Sequence, residues 1–186
     1  MIGFAFCGSF CNFENAFKEL ERLIEQGCEV LPIMSYNAYS TNTRFGKCAD
    51  FIERAEKLCK RSVVHTLDEA EPLGPKIKLE CLCICPCTGN TLAKLSSGIC
   101  DTPVTLAAKA HLRNDRPLVL ALASNDSLAG NAENFGRMLA RRNVYFVPLR
   151  QDDAMAKPRS LVCDFTMLGD TIEKAMKGCQ IQPILI

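Results

Sequence analysis

The sequence lacks a charge excess of either sign: 22 Lys and Arg stand against 21 Asp and Glu, for a formal net charge of +1. That balance argues against a dedicated nucleic-acid binder, which carries a basic surplus. It also lacks any apolar run near the roughly 20 residues that cross a bilayer. Its first residues, Met1-Ile2-Gly3-Phe4-Ala5-Phe6-Cys7-Gly8, show neither a basic start nor a small-residue cleavage pattern, so no secretory signal is read and a cytoplasmic location is expected. Histidine is scarce. His65 and His111 are the only two, and both read as surface or helix-face residues. No CxxC pair of the zinc-site kind occurs, no GKS or GKT follows the first strand, and the GxGxxG dinucleotide fingerprint is missing.

What is present is a full core. Hydrophobic residues make up 48% and charged residues 23%, enough apolar surface to offset chain entropy, so disorder is not the expected state. The length of 186 residues suits one domain, taken as residues 1–186. Twelve cysteines is a high count. A disulfide scaffold needs an oxidising compartment that a chain without an export signal does not reach. Cys81, Cys83, Cys85 and Cys87 alternate, so on a strand all four leave one face. They could meet a soft metal there, but the plainer reading is that they fill small buried positions. Cys7 and Cys11 flank a candidate ligand loop and stay open to redox or ligand contact.

The chain alternates strand and helix. Apolar runs predict strands over 2–7, 28–34, 79–85, 117–123 and 144–148, with a weak short one over 62–66. Helical spacing of Phe13, Phe17, Leu20, Leu23 and Ile24 predicts a helix ended by Gly27. Further helices are expected near 47–60, 91–97, 104–114, 129–142 and 167–178. Arg150–Ser160 reads as a long polar surface loop. Six strands alternating with helices predict a single-domain, Rossmann-like or flavodoxin-like α/β sandwich of three layers, with a mostly parallel six-stranded sheet.

In open sheets of this kind, ligands bind outside the carboxyl ends of the strands. The exits carry small neutral groups: Gly8-Ser9, then Ser35, then Thr88, Asn90 and Thr91, then Ser124. Glycine permits close backbone approach, and hydroxyls beside helix N-terminal amides suit a phosphate. No carboxylate or histidine stands among these residues, so the lining fits a phosphorylated cofactor that brings its own chemistry.

The segment Pro86-Cys87-Thr88-Gly89-Asn90-Thr91-Leu92-Ala93-Lys94-Leu95, then Gly98-Ile99-Cys100-Asp101, resembles the PxxxNTxAKxxxGxxD signature of the homo-oligomeric flavin-containing cysteine decarboxylase family. With Gly8-Ser9, that likeness spans most of the chain. One branch of the family is matched further at Ser35-Tyr36-Asn37, Thr43–Lys47, Ala70–Lys76, Ala107–Ala110, Tyr145–Pro148 and Gln151-Asp152-Asp153. The resemblance implies FMN as cofactor and a homo-oligomer built from trimers. It maps Gly8 and Ser9 to the phosphate loop, Ser35 to the hydroxyl after the second strand, Thr88, Asn90 and Thr91 to the signature loop, and Ser124 to a cofactor contact at the fifth predicted strand exit, within a motif that differs here. Cys87 and Gly89 occupy variable places in the signature.

The matched branch implies an oxidoreductase subunit that makes an aromatic pyridine dicarboxylate in the mother cell of a sporulating bacterium. A nicotinamide cofactor, NAD(P), would sit on a separate partner subunit. Planar dicarboxylates favour arginine, and Arg44 is the first candidate for substrate contact, against a plain solvated loop base. Lys94 reads as a helix-face lysine. One departure counts against decarboxylation by the family's usual route: where the decarboxylases carry a histidine ahead of the signature proline, this sequence has Glu71-Pro72-Leu73-Gly74-Pro75. A decarboxylase with a different base, and an assembly subunit with an empty flavin pocket, stay open as alternatives.

Overall fold

A computed structural model describes all 186 residues. In chain order the elements are β1 (Ile2–Phe6), α1 (Phe13–Glu25), β2 (Val30–Met34), α2 (Tyr36–Ser40), α3 (Cys48–Cys59), α4 (Leu67–Ala70), β3 (Cys81–Cys87) and α5 (Gly89–Ser96). There follow α6 (Pro103–Arg113), β4 (Leu118–Ser124), α7 (Ala132–Leu139), β5 (Val144–Phe146), β6 (Leu149–Asp153), β7 (Lys157–Cys163) and α8 (Leu168–Met176). The sheet has seven strands in the order β2-β1-β3-β4-β7-β6, with β5 also on β4. Pairs among β1 to β5 are parallel, and β7 runs antiparallel to both β4 and β6. The α/β class and mostly parallel sheet agree with the expectation, while the strand count is seven and not six.

Burial on both faces explains the continuous apolar strands. Every residue of β1, β2 and β3 is buried, because α1 and α8 cover one face and α5 and α6 cover the other. Phe6, Phe13 and Phe17 are at most 1% exposed and lock α1 to the sheet, with Phe51 of α3 joining them at 4.9 Å from Phe13. Each such ring contributes about 2–3 kcal/mol of burial.

Two sequence expectations are corrected. The strand over 62–66 shrinks to one bridge between Val64 and Ile33. Val64 gives its amide to Pro32 and takes that of Met34, but Pro32 has no amide hydrogen to offer the next carbonyl, so the ladder stops. The loop expected over Arg150–Ser160 is a hairpin, β6 and β7, in which residues 150–159 are all exposed. Its polarity reflects strands wetted on both faces. Asp153 closes the turn by accepting the amides of Met155 and Ala156.

β4 carries the consequence for function. Its first half, Leu118–Leu120, pairs with β5, and its last residues, Ala123 and Ser124, pair with β7. β5 ends at Phe146, and the chain passes through Val147-Pro148 before returning as the hairpin. That detour hangs β6 and β7 beside the strand exits.

Candidate functional site

All seven residues predicted from the strand exits gather at one end of the sheet. Gly8, Ser9, Thr88, Asn90 and Ser124 line an open cleft of about 1020 Å³. Ser35 and Thr91 line an adjoining recess of about 310 Å³, which shares Gly8, Thr88 and Asn90 with the cleft. Parallel strands explain the convergence: each ends at the same level and leads into a helix whose first turn faces the ligand side.

Local capping sets the hydroxyls. Ser35 Oγ accepts the Ala38 amide at the start of α2, which leaves its own hydrogen free. Ser9 Oγ accepts from Asn12 Nδ2 at 3.0 Å and likewise keeps a free hydrogen. Thr88 caps α5 by accepting the Thr91 amide, and it donates to Thr91 Oγ1 at 3.1 Å. Thr91 in turn donates to Cys7 Sγ at 3.2 Å, so these two threonines brace β1 against β3. Asn90 is exposed and its amide side chain has no partner in the chain. The backbone amides of Gly89 and Asn90 open α5 and have no intrahelical acceptor, which makes this end of α5 a place for negative charge.

Gly89, a variable place in the signature, proves tightly placed. A Cβ there would stand 2.6 Å from Ser124 Oγ, 2.8 Å from Asn131 Nδ2 and 3.1 Å from Asp126 Oδ1. Those three side chains form one cluster, in which Ser124 donates to Asp126 at 2.7 Å and Asn131 donates to both of its oxygens at 2.9 Å. Asp126 and Asn131 follow β4 in a loop with no motif to announce them. The hairpin adds Asp152, Lys157 and Ser160 to the cleft, hidden in the sequence because the segment reads as loop.

Arg44 is not brought into the lining. Its neighbours Thr43 and Phe45 are, and its guanidinium lies over the Phe45 ring at 4.8 Å. Lys94 faces the recess but is held by Asp101 at 2.7 and 2.9 Å, which pulls the Asp101 carboxyl below its ordinary range. The helix-face reading of Lys94 thus becomes an ion pair between two residues of the signature.

The cysteines divide by depth. Cys81, Cys83, Cys85 and Cys87 are buried in β3, and burial pushes the thiol of Cys81 up to about 12 and the other three well above the usual value. Burial likewise raises Cys7 to about 11, against the lowering effect of the Thr91 bond, so it is a neutral thiol. Cys11 is exposed and lines the cleft. Neither histidine reaches the site: His65 stacks on Tyr39 at 3.8 Å, and His111 is buried on α6 against the Pro117 carbonyl.

The sheet order, the hydroxyl-lined exits and the α5 N-terminus define an α/β protein whose candidate ligand site lies at the strand ends. A match to the Flavoprotein family model over residues 1–176 makes the class specific, and the chain belongs to that family. Among relatives, it is 44% identical over 185 residues to the B subunit of dipicolinate synthase from Bacillus subtilis (strain 168), covering all of this chain and 92% of that protein. The crystal structure of the corresponding B subunit from Bacillus halodurans superposes with a TM-score of 0.92 at 39% identity, over 100% of this chain and 95% of that one. A dodecameric FMN-dependent UbiX-like decarboxylase from Escherichia coli O157:H7 shares the fold at a TM-score of 0.65 and 24% identity, over 80% of each chain.

Proposed function

We propose that this chain is the flavin-binding B subunit of a dipicolinate synthase, and that it acts with a nicotinamide-binding A subunit to oxidise dihydrodipicolinate to dipicolinate. The carrying observation is the convergence of the exit residues on one cleft in a chain 44% identical to a B subunit along its whole length.

FMN fits what the chain offers. Gly8 meets only ordinary contacts, 3.5 Å to Asn37 and 3.6 Å to Phe10, so its missing side chain is not demanded by packing and leaves room for a ligand. Ser9 and Ser35 have free hydroxyl hydrogens, Asn90 has a free amide, and α5 adds unpaired N–H groups; together they suit a phosphate without any basic side chain. One phosphate cradle favours FMN over FAD. Bound FMN would supply a ring that accepts or passes on a hydride. The chain's own residues bind and orient it: Gly8, Ser9 and Ser35 toward the phosphate, Thr88, Asn90 and Thr91 in the signature loop, and Ser124 at the fourth exit.

The nicotinamide, NAD(P), belongs to the A subunit on this reading. At the first exit, Phe10 lines the cleft and Phe13 is 1% exposed in the core, where a pyrophosphate-binding turn needs glycines. A homo-oligomer of trimers is the proposed assembly. Ile184–Ile186 pairs with Leu149 at the sheet edge, yet Leu185 and Ile186 keep 61% and 49% exposure, an apolar end that association would cover. The proposed location is the cytoplasm of a sporulating mother cell; no helix is long and apolar enough to cross a membrane.

The test is an absorption spectrum of the purified protein, followed by dipicolinate assays with each of the two subunits alone and with both. Wild type should be yellow, and Asn90→Leu should lose flavin while keeping its fold. Dipicolinate should form only when both subunits are present. A fully flavin-loaded Asn90→Leu protein removes that placement. A colourless wild type under every preparation leaves the assembly-subunit reading, and full activity from this chain alone refutes the division of labour.

A further inference from the structure

We propose that Asp126 is the general base at this cleft, taking the proton that the dihydropyridine ring loses as it becomes aromatic. The inference rests on the dipicolinate reading above. Aromatisation of a dihydropyridine dicarboxylate removes one hydride and one proton. The hydride goes to the nicotinamide acceptor of the partner subunit. At the neighbouring ring position a C–H bond breaks, its electron pair becomes the new ring double bond, and an O–H bond forms on the base.

The cleft offers few groups for that task. Its ionisable lining consists of Cys11, Asp126, Asp152 and Lys157. Asp152 is tied to Lys157 on the exposed hairpin, and Lys94 in the recess is tied to Asp101. Asp126 alone among them is a carboxylate with no cation on it. Its partners are neutral, Ser124 and Asn131, and they fill three of the roughly four lone-pair sites of a carboxylate. One site on Oδ2 is left for a ligand.

The carboxylate is also held in place. Asn134 Nδ2 donates to Asn131 Oδ1 at 3.0 Å, which turns the Asn131 amide hydrogens toward Asp126. Gly89 presses the start of α5 against the same cluster. A base fixed by neutral donors needs no rearrangement when the proton moves. Its negative charge also repels the two substrate carboxylates, so the ring and not a carboxylate meets this end of the cleft.

The experiment uses the complex reconstituted from FMN-loaded chain and its nicotinamide-binding partner. If wild type forms no dipicolinate, the dipicolinate reading falls and the base assignment with it. If wild type is active, Asp126→Asn should lower kcat by about 10²- to 10⁴-fold with flavin absorbance and KM close to wild type, and should lower Tm by only about 2–4 °C for the one bond from Asn131 that an amide nitrogen cannot accept. Turnover within about threefold of wild type in that variant overturns the proposal. Asp126→Glu keeps the carboxylate but moves it, and guards against an Asn variant that loses flavin or fold. With precursor deuterated at the carbon that gives up the proton, Asp126→Glu should show a larger isotope effect on kcat than wild type. Equal effects in the two overturn the assignment.

Discussion

Replacing Gly89 by alanine tests the close approach of α5 to the loop after β4. The new Cβ would sit 2.6 Å from Ser124 Oγ and 2.8 Å from Asn131 Nδ2, below any real carbon contact. Neither atom is a loose end, since both are bonded to Asp126, so relief means pushing α5 outward or breaking the cluster. Overpacking of this kind costs about 1–3 kcal/mol, and a lost internal hydrogen bond adds about 1. Alanine's better helix propensity offsets at most about 1 kcal/mol. The net is about 2 kcal/mol, which for a chain of this size lowers Tm by about 4–8 °C. Two companion variants make the reading sharp. Gly136 lies in α7 with nothing within 4 Å of its Cβ position, so Gly136→Ala should raise Tm by about 2–4 °C. Gly8→Ala meets only ordinary contacts and should leave Tm near wild type, but it should reduce flavin retention by filling the space at the first exit. Thermal melts of the three apoproteins and flavin absorbance after reconstitution are the measurements. An unchanged Tm for Gly89→Ala refutes the packing argument, and full flavin loading of Gly8→Ala refutes the phosphate placement.

Burial pushes the His111 imidazole down from 6.5 to about 4, against the raising effect of its bond to Pro117. Below pH 6.5 the unfolded chain takes up a proton that the folded one refuses, so stability falls as pH drops from 6.5 to about 4, by about 3 kcal/mol in all. Denaturant melts of His111→Gln should flatten that window, and an unchanged pH slope would exclude His111 as its source. Arg44→Ala should leave the KM for the dicarboxylate near wild type in the two-subunit assay, because its guanidinium stacks on Phe45 outside the cleft lining, and a clearly raised KM would return Arg44 to the substrate's path. Light scattering at micromolar concentration should give a mass that is a multiple of three chains; a clean monomer would refute the assembly.

The sequence by itself determined the layer architecture. Apolar runs such as Pro117–Ala123 and the helical spacing from Phe13 to Ile24 each satisfy one local period, and alternation of the two leaves a parallel sheet as the way to bury both. The exit residues were legible for the same reason, because Gly8, Ser35, Asn90 and Ser124 lie at or within a few residues of strand ends that can be read. Two short helices, α2 and α4, escape such reading, since segments capped at Ser35 and Thr66 are too brief to stand out by periodicity.

Only the tertiary structure decided what stands opposite those exits. The hairpin of β6 and β7 looks like loop because residues 150–159 are exposed on both faces, and its role comes from pairing with β4, which β5 leaves free beyond Leu120. Asp126 and Asn131 carry no local pattern, and they matter because the absent side chain of Gly89 lets α5 close on them. Arg44 shows the converse: its loop borders the cleft, but stacking on Phe45 turns the charge aside. Local periods are written into neighbouring residues, whereas contacts between segments depend on where the sheet sets them, and that is set by the packing of the whole chain.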